Sequence, residues 1–120
     1  MTTIVTTESD KALRCAIGVV QAFRQIDSSM PASYAHCLLV VATRPDCTVS
    51  EVAETLGVQR PTVSRILLEL GRRSRPGGPG YGLVEAHSGE SDLRKRNHRL
   101  TPEGHKLIAR IVKTQLALNV

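Results

Sequence analysis

Between Thr48 and Leu70 the chain reads TVSEVAETLGVQRPTVSRILLEL, and this stretch restricts the fold more than any other part of the 120 residues. Apolar positions recur at helical spacing on both sides of Gly57. Val52, Ala53 and Leu56 precede it, and Val63, Ile66, Leu67 and Leu70 follow. Thr48 with Glu51 three places on is a capping box, in which hydroxyl and carboxylate each satisfy a backbone N–H that the first turn leaves unpaired. Gly57 supplies the left-handed residue that stops the first helix. Pro61 falls in the first turn of the next, where a missing N–H costs nothing. Ala53 is small where the two helices cross. A generic helical hairpin shares part of this spacing, but the full combination favours a helix-turn-helix, with Gln59, Arg60, Thr62, Ser64 and Arg65 on the outer or leading part of its second helix.

The remaining chain must cover the inner faces of those helices. Residues 1–7 are small, polar and unpatterned, and are expected to be a frayed tail. From Glu8 to Gln25 the pattern is helical, with Leu13, Ala16, Ile17, Val20 and Phe23 on one stripe and Cys15, Val19, Ala22 and Ile26 on a second. Two stripes exceed what a surface helix needs, so either the domain wraps this helix or a second subunit covers it. A second helix is expected from Ala32 to Ala42, bounded by SSMP and RPDC. Residues 71–80, GRRSRPGGPG, form a flexible basic linker. GLVEAHS alternates as a strand, SGESD has turn composition, and RKRNHRL returns as its partner. Thr101 and Pro102 open a last helix reaching residue 118, where Leu107, Ile108, Ile111, Val112, Leu116 and Leu118 make a broad apolar surface. The expected fold is mainly α with a small β-hairpin, a single domain over 1–120.

Charge is unevenly placed. Sixteen Lys and Arg oppose eleven Asp and Glu, for a net +5. Between residues 60 and 99, nine basic residues (Arg60, Arg65, Arg72, Arg73, Arg75, Arg94, Lys95, Arg96, Arg99) face four acidic ones (Glu69, Glu85, Glu90, Asp92), so that third of the chain holds the whole excess. A helix-turn-helix carrying a local cationic surplus suits a polyanion, and double-stranded DNA is the expected partner. Aromatic residues are only 2% of the chain, which argues against stacking platforms for single strands and against an aromatic pocket for a flat ligand.

Two helices, a basic hairpin and a further helix describe a winged helix, and here the sequence resembles the MarR family of bacterial regulators. The resemblance runs over residues 10–118. It is carried by TVSEVAETLGVQRPTVSRILLEL, by GLVEAHS, and above all by Asp92-x-Arg94 leading to Leu100-Thr101-Pro102-Glu103-Gly104. It implies a homodimer on an inverted repeat, with Gln59–Leu70 in the major groove and the wing at the adjacent minor groove. Arg94 would enter that minor groove, and Asp92 would hold the wing in shape. The chemistry agrees, because a guanidinium bonds two acceptors on guanine and is drawn to a narrow minor groove. The expected DNA-binding set is Thr48, Gln59, Arg60, Thr62, Ser64, Arg65, Arg72, Arg73, Asp92, Arg94, Lys95, Arg96 and His98. Arg65 can reach a base or a phosphate; Arg72, Arg73 and Arg75 suit loose tracking of phosphates; Asp92 alone would also serve as a turn residue. The first and last helices would form the dimer interface, through Leu13, Ile17, Val20, Ile108, Ile111, Val112 and Leu116. Against the family pattern the linker is long, and the last dimerisation helix is expected to be missing.

The functional expectation is a sequence-specific transcriptional regulator, in the repressor sense. Its alternative is a winged helix that binds DNA without sequence choice, or binds protein. No phosphate loop, GxSxG or carboxylate pair suggests an enzyme. No cofactor or metal is expected, since His36, His87, His98 and His105 are scattered and no CxxC occurs. Cys15 and Cys37 read as buried packing residues, whereas Cys47, in a turn-like stretch, is expected to be exposed. A small-molecule effector is left open, with control by concentration or a partner protein favoured. The polar start carries no secretory leader and no apolar run spans a membrane, so the cytoplasm and its nucleoid are the expected location.

Overall fold

The computed structural model describes residues 7–71, 80–88 and 96–118. In chain order these form α1 (Thr7–Ile26), α2 (Ala32–Thr43), β1 (Cys47–Thr48), α3 (Val49–Leu56), α4 (Arg60–Leu70), β2 (Val84–Ser88), β3 (Arg96–Leu100) and α5 (Pro102–Leu118). Two compact units contain them. One comprises residues 31–106, and the other comprises residues up to Met30 together with Leu107 onward.

In the larger unit the local signals act as expected. The Thr48 hydroxyl accepts from the Glu51 N–H at 3.2 Å, and the Glu51 carboxylate accepts from the Thr48 N–H at 3.1 Å. Gly57 takes φ +70 and closes α3 by donating to the Ala53 carbonyl at 2.9 Å. Gln59 then enters α4 in extended conformation without a side-chain cap, and Pro61 occupies the first turn. Val52 and Ala53 of α3, Val63, Ile66, Leu67 and Leu70 of α4, and Cys37, Leu38, Val40 and Val41 of α2 are all buried. Each aliphatic side chain taken fully from water contributes about 1.5–3 kcal/mol. Three facing helices therefore supply the core of this unit.

The sheet has the order β1-β3-β2, antiparallel throughout. The hairpin of β2 and β3 pairs Val84 with Leu100 through to Ser88 with Arg96. β1 was not expected. Cys47 and Thr48 pair with His98 and Asn97, and a two-residue strand has no local pattern because only its distant partner creates it. The pairing also corrects the expectation for Cys47, which is buried rather than exposed. Its neighbour Asp46 takes φ +59, the only positive value outside glycine among the described residues.

A clasp ties the hairpin to α4. The Tyr81 N–H donates to the Glu69 carbonyl at 3.0 Å, and Leu83 donates to Leu70 at 2.8 Å. The Thr101 hydroxyl donates to the Gly82 carbonyl at 2.6 Å and accepts from the Gly104 N–H at 3.1 Å, which caps α5. Gly104 is required here for space, since a Cβ would lie 2.2 Å from the Leu83 carbonyl oxygen. The Tyr34 hydroxyl donates to the Glu69 carboxylate, and the Tyr34 and Tyr81 rings meet edge to face.

In the smaller unit α1 begins at Thr7, inside the expected tail. α1 meets α5 where Gly18 faces Thr114; a Cβ on Gly18 would sit 3.3 Å from the threonine methyl. Phe23, Leu107 and Ile111 are buried. No helix among the described residues is long and apolar enough to cross a membrane.

Candidate nucleic-acid interface

The second helix of the helix-turn-helix presents two faces of opposite character. Val63, Ile66, Leu67 and Leu70 point inward, as residues three and four apart must when one side of a helix is covered. That periodicity leaves Gln59, Arg60 and Arg65 exposed, with Thr62 and Ser64 half-buried beside them. Among the described residues neither Arg60 nor Arg65 has an acidic partner in an ion pair. Two free guanidiniums on the leading turns of one helix therefore project from a rigid base. Thr48 is placed differently: its hydroxyl is engaged with Glu51 as the cap of α3.

Arg96 is exposed at the start of β3, and Arg99 is exposed and bonded to Glu85 across the hairpin at 2.8 Å. His98 departs from expectation. It is only 8% exposed, and its Nδ1 lies 3.4 Å from the Cys47 carbonyl oxygen. A carbonyl can only accept, so the contact puts the proton of the neutral ring on Nδ1. Burial lowers the pKa of His98, with the Cys47 carbonyl opposing that shift and Arg96 adding to it. A neutral ring packed under a strand is a core residue, so His98 leaves the set of surface contacts. Strand alternation explains the error: His98 shares a face with buried Leu100, while Arg99 faces outward. Arg72, Arg73, Asp92, Arg94 and Lys95 lie outside the described residues.

Cys37 and Cys47 are buried and free of disulfide. Burial pushes the Cys37 thiol up to about 12, with Cys47 adding to it, and raises Cys47 as well. Neither thiol is activated for chemistry. No group of three or more His, Cys, Asp or Glu among the described residues could hold a metal ion. A cavity of about 290 Å³ lies between the end of α4 and the hairpin, lined by Leu67, Leu68, Gly71, Val84, Glu85, Ala86, Arg96 and His98.

On the smaller unit Leu13, Ile17, Val20, Val112 and Leu116 are 50–62% exposed. Ile108 is half-buried. Ile111, expected at a subunit interface, is 7% exposed within the single chain and so belongs to the core.

Two residues escaped the sequence reading. Arg44 is exposed after α2, with its guanidinium 3.5 Å from the Thr55 hydroxyl. Asp46 joins His87 of β2, Oδ1 to Nε2, at 2.6 Å. The PD pair marks a turn at Asp46, but nothing local ties it to a histidine 41 residues on.

A buried three-helix core, a helix-turn-helix with an arginine-bearing outer face and an antiparallel hairpin define a winged helix-turn-helix. Residues 28–73 match the model of the MarR family. Solved structures share the fold over most of the chain. A mutant of MepR from S. aureus bound to an oligodeoxyribonucleotide is 22% identical with a TM-score of 0.67, over 90% of this chain and 72% of that one. A MarR family transcription regulator, SP03579, is 22% identical with a TM-score of 0.61, over 88% of this chain and 60% of that one. The transcriptional repressor CouR, bound to a 23-mer DNA duplex, is 27% identical with a TM-score of 0.61, over 88% and 67%. The chain thus spans 60–72% of the length of these structures. No protein of curated function matches. The chain thus shares the winged-helix fold of these structures, and its helix-turn-helix portion is similar to the MarR family.

Proposed function

We propose that the chain binds double-stranded DNA as a homodimer and regulates transcription as a repressor, with α4 in the major groove of each half of an inverted repeat. The observation that carries this is the two-faced helix α4, buried through Val63, Ile66, Leu67 and Leu70 and open at Gln59, Arg60 and Arg65. An α-helix fits the major groove, and arginine there bonds guanine at two acceptors. MepR and CouR, which share the fold, are described in complex with DNA. Arg94 and Lys95, with Asp92 shaping the loop, are assigned to the minor groove beside each half-site, with Arg72, Arg73 and Arg96 on phosphates. The exposed leucines and valines of α1 and α5 are assigned to the contact between subunits. Contiguous apolar surface of this kind marks an interface.

Arg65→Ala tests the specific reading. On a preferred duplex the variant is expected to lose ~1–3 kcal/mol, and on a scrambled duplex much less. Equal losses on both would assign Arg65 to phosphate alone and favour binding without sequence choice.

A further inference from the structure

We infer that Asp46 and His87 are a positioning pair that fixes the wing hairpin against the helix-turn-helix, so that the pair governs how the protein reads the flanks of its site while α4 reads the half-site. This rests on the duplex-binding function proposed above.

Asp46 stands in the turn between α2 and β1, with φ +59. Aspartate is among the few residues that tolerate this left-handed conformation. The two residues that follow are fixed at once: Cys47 is buried and paired with His98, and Thr48 caps α3. Asp46 is therefore held by the helix-turn-helix. His87 belongs to β2, the strand farthest from β1 in the order β1-β3-β2. Its Nε2 meets Asp46 Oδ1 at 2.6 Å, so the contact reaches past the central strand and joins β2 to the turn that leads into β1.

That reach matters because β1 contributes only two residue pairs to the sheet, while β2 and β3 pair over five. The twist between strands varies over a wide range and is largest in two-stranded ribbons, so five pairs alone do not fix the hairpin's orientation. Rotation of the hairpin about β3 would move β2 most, and His87 is one residue from the end of β2, where the chain leaves toward Asp92 and Arg94. A side-chain link at that point opposes the rotation with the longest lever. Both groups keep some exposure, 29% for His87 and 56% for Asp46. A pair in that setting adds little to folding stability. Its effect falls on orientation.

Three variants of the full chain test this: His87→Ala, Asp46→Gly, which keeps the left-handed backbone, and Asp46→Asn, whose amide can still bond the ring. In the free protein, residual dipolar couplings of β2 amides relative to those of α4 are expected to change in His87→Ala and Asp46→Gly and to stay near the parent values in Asp46→Asn. On duplexes with one half-site and varied flanks, the first two variants should lose about threefold to fivefold in flank discrimination. Half-site preference and the unfolding midpoint should stay unchanged, and a fourth variant combining His87→Ala with Asp46→Gly should be no worse than either single one. Unchanged couplings, or losses equal on every flank, or additive losses in the double variant would overturn the inference. If the unaltered protein binds no duplex, the proposed function falls instead, and the couplings still decide whether the pair orients the hairpin.

Discussion

The two units of this chain treat their apolar residues in opposite ways. In residues 31–106 the Val, Leu and Ile side chains of α2, α3 and α4 are buried or half-buried except Leu68, which is 44% exposed, and most other exposed positions on these helices are polar or charged. In the unit holding α1 and most of α5, Leu13, Ile17, Val20, Val112 and Leu116 remain at least half exposed. The first unit covers most of its large aliphatic side chains from its own sequence. The second leaves a larger apolar face open among its described residues. The contrast matches the two roles proposed above: the polar and cationic face of α4 for DNA, and the open apolar face of α1 and α5 for a second copy.

Substitution inside the first unit should have the largest effect. Leu38→Ala, at a site with no exposure, is expected to cost ~2–5 kcal/mol in denaturant unfolding, because the cavity adds to the lost transfer energy. Gly104→Ala should be comparably damaging, since its methyl would meet the Leu83 carbonyl at 2.2 Å; a loss under ~1 kcal/mol would mean the clasp of Thr101 and Gly82 yields easily.

The comparison is sharpened by the corresponding change in the second unit. Ile17→Asp should leave unfolding of the helix-turn-helix core within ~0.5 kcal/mol. It should also raise the dimer dissociation constant about tenfold or more in sedimentation equilibrium, which corresponds to ~1.4 kcal/mol. A large stability loss with no change in assembly would show that the exposed face of α1 is covered within the chain. Smaller still is Thr48→Ala, which removes one half of the capping box and should cost ~1 kcal/mol.

The smallest expected effect is on pH dependence. Burial holds the His98 pKa below its ordinary 6.5, so folding favours the neutral ring. The unfolded chain takes up the proton first as pH falls. The stability that the neutral ring contributes is complete above about 6.5 and declines as pH drops through that value. His98→Leu should flatten this part of the stability profile; an unchanged slope would mean that His98 is solvated.

The helix-turn-helix was readable because its signals are local. A capping box, a left-handed glycine and a proline in the first turn each act within four residues, and together they set α3 and α4 to within a residue or two. The outer face of α4 follows from the same periodicity, which leaves Arg60 and Arg65 exposed. What escaped depends on distant pairing. β1 exists only because Cys47 and Thr48 meet β3, and that pairing also buries Cys47 and places His98 on the inner side of the sheet. The Asp46–His87 contact is invisible for the same reason. Ile111 shows a subtler limit: periodicity put it on an apolar face of α5 without telling which part of that face the chain itself covers.

The most direct test of the central claim is selection of binding sites from a random duplex library with the purified protein at physiological salt. The account predicts enrichment of an inverted repeat whose half-site centres lie about one helical turn apart (~10 bp), or a multiple of it, as a dimer presenting two copies of α4 requires. Salt-sensitive binding that enriches no motif would contradict it, and would mean that the arginines of α4 and the wing follow phosphates rather than read bases.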